Sequence, residues 1–147
     1  MIKKILVAVD GSEHSKKAVD YAASIAAAMN ARLSVLYVFK TLELPKGMEN
    51  YARIEHIKGG DDAILMQVSN DIVDEAKERA AKKGVTDIEA EVVHGPVART
   101  IVSQAKRRNA DMIVIGSRGL GNIEATLRGG VSMRVGMLSE CPVLVVR

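Results

Sequence analysis

Four glycines and two arginines carry the clearest chemical signal in this 147-residue sequence. Gly116 and Gly119 follow the apolar run 112–115, and Gly129 and Gly130 come shortly afterwards, just ahead of Val131 and Ser132. A glycine ending a buried strand lets a ligand ring or ribose approach the backbone. Gly119 permits the positive φ needed to turn the loop. Glycines opening a helix leave N–H groups and the helix dipole facing an anion, and Arg118 and Arg128 add charge-assisted donors. Singly, such glycines make turns and cap helices. Spread across two loops beside two arginines, they point to phosphate. Asp10, directly after the apolar run 5–9, occupies the matching end of another strand and is a second candidate for ligand contact.

Other chemistries lack their residues. The phosphate loop G-x-x-x-x-G-K-[ST] is absent, and Gly119-Leu120-Gly121 leads to Glu124 where the dinucleotide fingerprint needs a glycine. His14, His56 and His94 are far apart and Cys141 is single, so no zinc set forms. No residue pair presents itself as base plus nucleophile, which leaves dedicated catalysis without a candidate. His14 reads as an exposed residue in a first helical turn, His94 as a surface or capping residue, and Cys141 as a small apolar turn residue.

The elements that must position these loops are legible as alternating strands and helices. Runs 5–9, 33–39, 112–115 and 143–146 are short, apolar and rich in β-branched residues, as strands covered on both faces are. Run 88–93 alternates apolar and polar, which predicts a more exposed strand. Between them lie helical stripes: Ala18, Ala22, Ile25, Ala26 and Met29; Leu65, Val68, Ile72, Ala76 and Ala80; Val97, Ile101, Val102 and Ala105; Val131, Val135 and Leu138. Ser12 is the expected N-cap and Asn30 the expected stop of the first helix, Gly84 closes the second, and Pro96 opens the third. Lys106, Arg107 and Arg108 read as complements to that helix's dipole. Residues 40–60 have weak periodicity and read as a long loop. Strands alternating with helices give an α/β fold, a single-domain open parallel sheet with helices on both faces, spanning 1–147. In such a sheet ligands bind beyond the carboxyl ends of the strands, where the winding reverses.

Composition narrows the field further. The net charge of +3 and an aromatic share of 3% give neither the field nor the stacking platforms that nucleic acid needs. No run approaches the ~18 apolar residues of a membrane span. One cysteine excludes an internal disulfide framework, so a cytoplasmic protein is expected.

At this point the sequence resembles the ATP-binding branch of the universal stress protein family over its whole length. The resemblance rests on 7–12 (Val-Ala-Val-Asp-Gly-Ser), on the glycine set and on 141–146 (Cys-Pro-Val-Leu-Val-Val). The family motif G-x2-G-x9-G is met by Gly116, Gly119 and Gly129. It implies strand order 3-2-1-4-5, as in adenine nucleotide alpha hydrolase-like folds, and a stress-response regulator that binds ATP, ADP or AMP, with Mg2+ held by the phosphates. By resemblance Asp10 contacts the ribose or adenine edge with Ala8 and Val9 beside it. Val38 and Ile115 line the adenine slot, and Gly116, Arg118, Gly119, Gly129, Gly130, Val131 and Ser132 surround ribose and phosphates. Where the family has a hydroxyl after the third glycine, this chain has Gly130. Losing one hydrogen bond to a charged group is worth ~1.5–3 kcal/mol.

The resemblance therefore leaves a rival, an interaction protein of the same fold without useful nucleotide binding. An ATP-splitting transferase of this fold ranks last, since its S-G-G-x-D-S loop is replaced by 10–15 (Asp-Gly-Ser-Glu-His-Ser). Strand 143–146 is apolar throughout and falls at a sheet edge in the implied order, where an unprotected edge invites pairing. A homodimer joined through this C-terminal strand, as in related family members, is the expectation.

Overall fold

The computed structural model describes residues 1–40, 58–118 and 130–147. In chain order its elements are β1 (Lys4–Val9), α1 (Glu13–Met29), β2 (Arg32–Phe39), α2 (Lys58–Lys82), β3 (Ile88–His94), α3 (Val97–Arg107), β4 (Met112–Gly116), α4 (Val131–Leu138) and β5 (Val143–Val146). The strands form one sheet in the order β3-β2-β1-β4-β5, parallel at every pairing. The expected α/β architecture and order are therefore those observed. The loop expected over 40–60 is shorter at its far end, because α2 begins at Lys58; the stretch 41–57 lies outside the described residues.

β1 is central because both of its faces are apolar. Ile5, Val7 and Val9 meet Val19, Ala22 and Ala26 of α1 and Val73, Ala76 and Ala80 of α2 on one side. Leu6 and Ala8 meet Ala98, Ile101 and Ala105 of α3 and Val135 of α4 on the other. β3, at the edge, keeps its alternating polar residues outward, as its sequence pattern requires. No helix among the described residues is long and apolar enough to cross a membrane.

The helix ends follow local chemistry. Ser12 caps α1 by accepting from the Ser15 N–H, and Asn30 ends it in the left-handed region at φ 53, its N–H donating to the Ala26 and Ala27 carbonyls. Pro96 is one position earlier than expected: it is the N-cap of α3 rather than its first residue. Two expected stripes differ from those observed. α2 buries Ser69, Val73, Ala76 and Ala80 while Val68 is exposed. Ser69 is tolerated inside because its Oγ donates to the Leu65 carbonyl at 2.7 Å. In α4 only Val135 is buried; Val131 and Leu138 face outward with Met133 and Met137.

α1 and α2 are tied by a two-pronged ion pair, Arg79 Nε and Nη2 donating to the two Asp20 oxygens at 2.7 and 2.8 Å. The hydrogen bonds from Arg79 hold the Asp20 carboxyl below its ordinary value, against a smaller opposing effect of burial. The side chains are 39% and 27% exposed, so solvent screens the pair and its contribution is about 1 kcal/mol. Because the folded value is the lower one, this stability is present above the unfolded aspartate value of about 3.9 and is lost as pH falls through the folded value. Arg79→Gln should thus be less stable than the parent by about 1 kcal/mol at neutral pH. Urea titrations from pH 7 downward should show the gap closing below about pH 4. A gap that persists at the acid end would assign the loss to Arg79 packing.

Candidate functional site

The loop after β1 is built by its own short-range hydrogen bonds. Asp10 Oδ1 accepts from the Ser12 N–H at 2.9 Å, and the Asp10 N–H donates to Ser15 Oγ at 3.1 Å. Gly11 between them takes φ +83, a conformation that glycine adopts without a Cβ penalty. The Asp10 carboxylate is thereby fixed at the carboxyl end of the central strand. Tyr37, whose register partner is Val9, has its hydroxyl pushed up, first by burial and second by the Asp10 charge.

The loop after β4 is bound to the first turn of α1. His14 Nδ1 and Ser117 Oγ share a hydrogen bond of 2.9 Å across 103 positions of sequence. Ser12 Oγ donates to the Arg118 carbonyl at 3.4 Å, and Ser117 N–H donates to the Val146 carbonyl at 2.7 Å. A Cβ on Gly116 would lie 2.9 Å from the His14 carbonyl carbon and 2.9 Å from its Cβ. The approach of α1 by itself requires glycine at this position. His14 is half-buried rather than an exposed surface residue. Sequence reasoning missed the His14–Ser117 pair, and nothing in the local pattern of either segment announces it.

The remaining site candidates fall into three groups. Ala8 and Ile115 are register partners, and together with Val38 they share the face covered by α3 and α4. Leu6 and Ile113 on this face are 0% exposed and Ala8 and Ile115 only 7% and 6%, so the apolar layer stays buried up to the strands' carboxyl ends. The Val9 side chain points to the opposite face, into the α1–α2 cluster, leaving its backbone on the site side. Gly130 is the N-cap of α4 and supplies no side-chain cap, so no cap side chain occupies the first-turn N–H donors. Ser132 Oγ donates to the Ser117 carbonyl at 3.5 Å, joining α4 to the same loop, with Val131 exposed beside it. Arg118 is exposed. Gly119, Gly129 and Arg128 lie outside the described residues. Among the described residues no group of three or more His, Cys, Asp or Glu could hold a metal ion.

The arrangement offers an apolar layer at the carboxyl ends of β1, β2 and β4, a carboxylate beside it, and an uncapped helix start opposite. Such a set can hold a flat ring, a sugar hydroxyl and an anion. The chain is similar to known proteins. The model of the universal stress protein family matches residues 1–147. Universal stress protein YxiE of Bacillus subtilis is 38% identical, with 100% of each chain covered. A universal stress protein of Methanocaldococcus jannaschii is 32% identical, covering 100% of this chain and 83% of that one. Among solved structures, a universal stress protein in complex with cAMP is 32% identical with a TM-score of 0.74, covering 99% of this chain and 97% of that one.

Proposed function

Because this chain belongs to the universal stress protein family, we propose that it is a one-domain cytoplasmic stress-response regulator that binds an adenine nucleotide. The observation that carries this reading is the apolar layer of Ala8, Val38 and Ile115 at the strands' carboxyl ends, with Asp10 held by the Ser12 N–H two positions beyond Ala8. The ring packs on that layer, and Asp10 accepts from the ribose or the adenine edge, with the Val9 backbone alongside. Gly116, Arg118, Gly119, Gly129, Gly130, Val131 and Ser132 surround ribose and phosphates, and Mg2+, where present, is carried by the phosphates. The cAMP complex of a relative 32% identical supports an adenine ligand. The protein pairs as a homodimer through β5, a sheet-edge strand whose Val145 is 42% exposed.

Calorimetry with cAMP, AMP and ATP should give saturable binding. Gly130→Ser restores a side-chain donor at the start of α4, and should tighten ATP about tenfold while leaving AMP nearly unchanged. Equal changes for both ligands would remove Gly130 from the phosphate end. Silence with all three nucleotides would leave the interaction protein of the same fold as the correct reading.

A further inference from the structure

At the end of the sheet opposite Asp10, a cavity of about 330 Å3 opens between the amino ends of β1 and β2 and the carboxyl end of α3. That volume lies within the range of small-molecule sites. Its walls carry four cations, Lys4, Arg32, Arg107 and Arg108, against one carboxylate, Glu89.

The four cations are not equivalent. Arg108 is fully engaged, with Nε donating to Glu89 at 3.1 Å and its other nitrogens to Gln104 and Glu91. Glu89 in turn accepts from the buried Ser34 hydroxyl at 2.6 Å. Ser34, Glu89 and Arg108 hold one another through Glu89 Oε1 and form a fixed wall whose carboxylate charge is offset by the Arg108 guanidinium. Among the described residues Arg32 hydrogen-bonds only through Nε, to Asp87 at 2.9 Å, which leaves its terminal nitrogens for a ligand. Lys4 Nζ feels Asp111 through space, but the Asp111 oxygen already accepts the Lys3 and Lys4 N–H groups at 2.8 and 3.0 Å. Arg107 makes no ion pair among the described residues, and Asn109, left-handed at φ 53, adds an amide to the same wall. Complementing the dipole of α3 accounts for Arg107 and Arg108. It does not account for Lys4 and Arg32, which come from strand ends.

We propose that this cavity binds a small phosphate-bearing anion, gripped by Arg107, Arg32 and Lys4. It is separate from the nucleotide reading, since the two sites lie at opposite ends of the sheet. Guanidinium and ammonium donors converging on a fixed polar wall suit the several oxygens of a phosphate.

The test uses the full chain, 15N-labelled, titrated with inorganic pyrophosphate in saturating cAMP. Saturable shifts should appear at the Ser34, Asn109 and Ala110 amides. Arg107→Glu, at an exposed position, should weaken binding by about tenfold or more, as expected for losing a charge-assisted hydrogen bond. Lys17→Glu makes the same charge change on α1, away from the cavity, and should leave the affinity within about twofold. Asn109→Gly keeps the left-handed backbone and removes only the amide, so it should weaken binding less than Arg107→Glu does. The proposal is overturned by the absence of saturable shifts at these amides, or by equal losses in Arg107→Glu and Lys17→Glu. Malonate binding as tightly as pyrophosphate would overturn phosphate as the ligand class. Competition with cAMP would move the anion to the other end of the sheet.

Discussion

Gly116→Ala should lower the unfolding free energy by about 2 kcal/mol, and Gly116→Val by about 3 kcal/mol, with nucleotide affinity falling in parallel. The added Cβ would meet the carbonyl carbon and Cβ of His14 at 2.9 Å and its carbonyl oxygen at 3.0 Å. Two of these three atoms are backbone, so no rotamer change relieves the clash. Either α1 moves off the end of β4 or the strand end shifts. Both break the 2.9 Å His14–Ser117 hydrogen bond and displace the Asp10 loop, which shares its helix cap with the same turn. His14→Gly added to Gly116→Ala should fail to restore stability, because the offending carbonyl remains. Urea denaturation followed by nucleotide calorimetry reads both effects. If Gly116→Ala unfolds at the parental midpoint, the α1 contact is not what requires glycine there.

Val145→Lys should turn a particle of about twice 15.8 kDa into one of 15.8 kDa in sedimentation at micromolar concentration. β5 has a paired neighbour on one side only, β4, and stands at the sheet edge. A lysine in the middle of an edge strand is a means by which soluble proteins prevent edge pairing. The choice of residue matters. Val146 is 4% exposed and Leu144 packs on the α1 cluster, so lysine at either would unfold the subunit instead of dissociating two of them. Val145 belongs to neither cluster, and its substitution leaves the core intact. Met137→Glu, on the exposed face of α4, should add to the effect if that face borders the interface. A parent already sedimenting at 15.8 kDa, or a dimer unmoved by both changes, would exclude pairing through β5.

What could be read from the sequence depended on how local the cause was. Ser12 and Asn30 act on their own helix ends, and both were legible because capping needs only a few neighbouring residues. The β1 run was legible because a strand covered on both faces cannot afford polar residues. The buried stripe of α2 was legible only in its second half, where Ala76 and Ala80 are buried and Ile72 packs against the core. That helix has 25 residues, and its apolar residues Ile64, Met66 and Val68 lie exposed in its first half. Periodicity alone cannot tell an apolar residue with a partner from one without. The same holds for Val131 and Leu138 in α4. At the site, the Gly116–Gly119–Gly129 spacing could be seen, yet the reason for Gly116 could not. His14 comes from a different element, and its meeting with β4 exists only once the sheet has formed.

The position of β1 also bears on how the sheet closes during folding. Its partner β2 follows within a short stretch of chain, but its other neighbour, β4, is brought beside it only across contacts such as Lys4–Asp111, 107 positions apart. During synthesis the half-sheet β1-β2-β3 can therefore close first, leaving one flank of the central strand open until β4 arrives. Contacts of such long sequence separation make folding slow, because loop-closure entropy must be overcome before they form. The unpaired backbone edge of β1 that β4 later covers is the segment most exposed to mispairing in that interval.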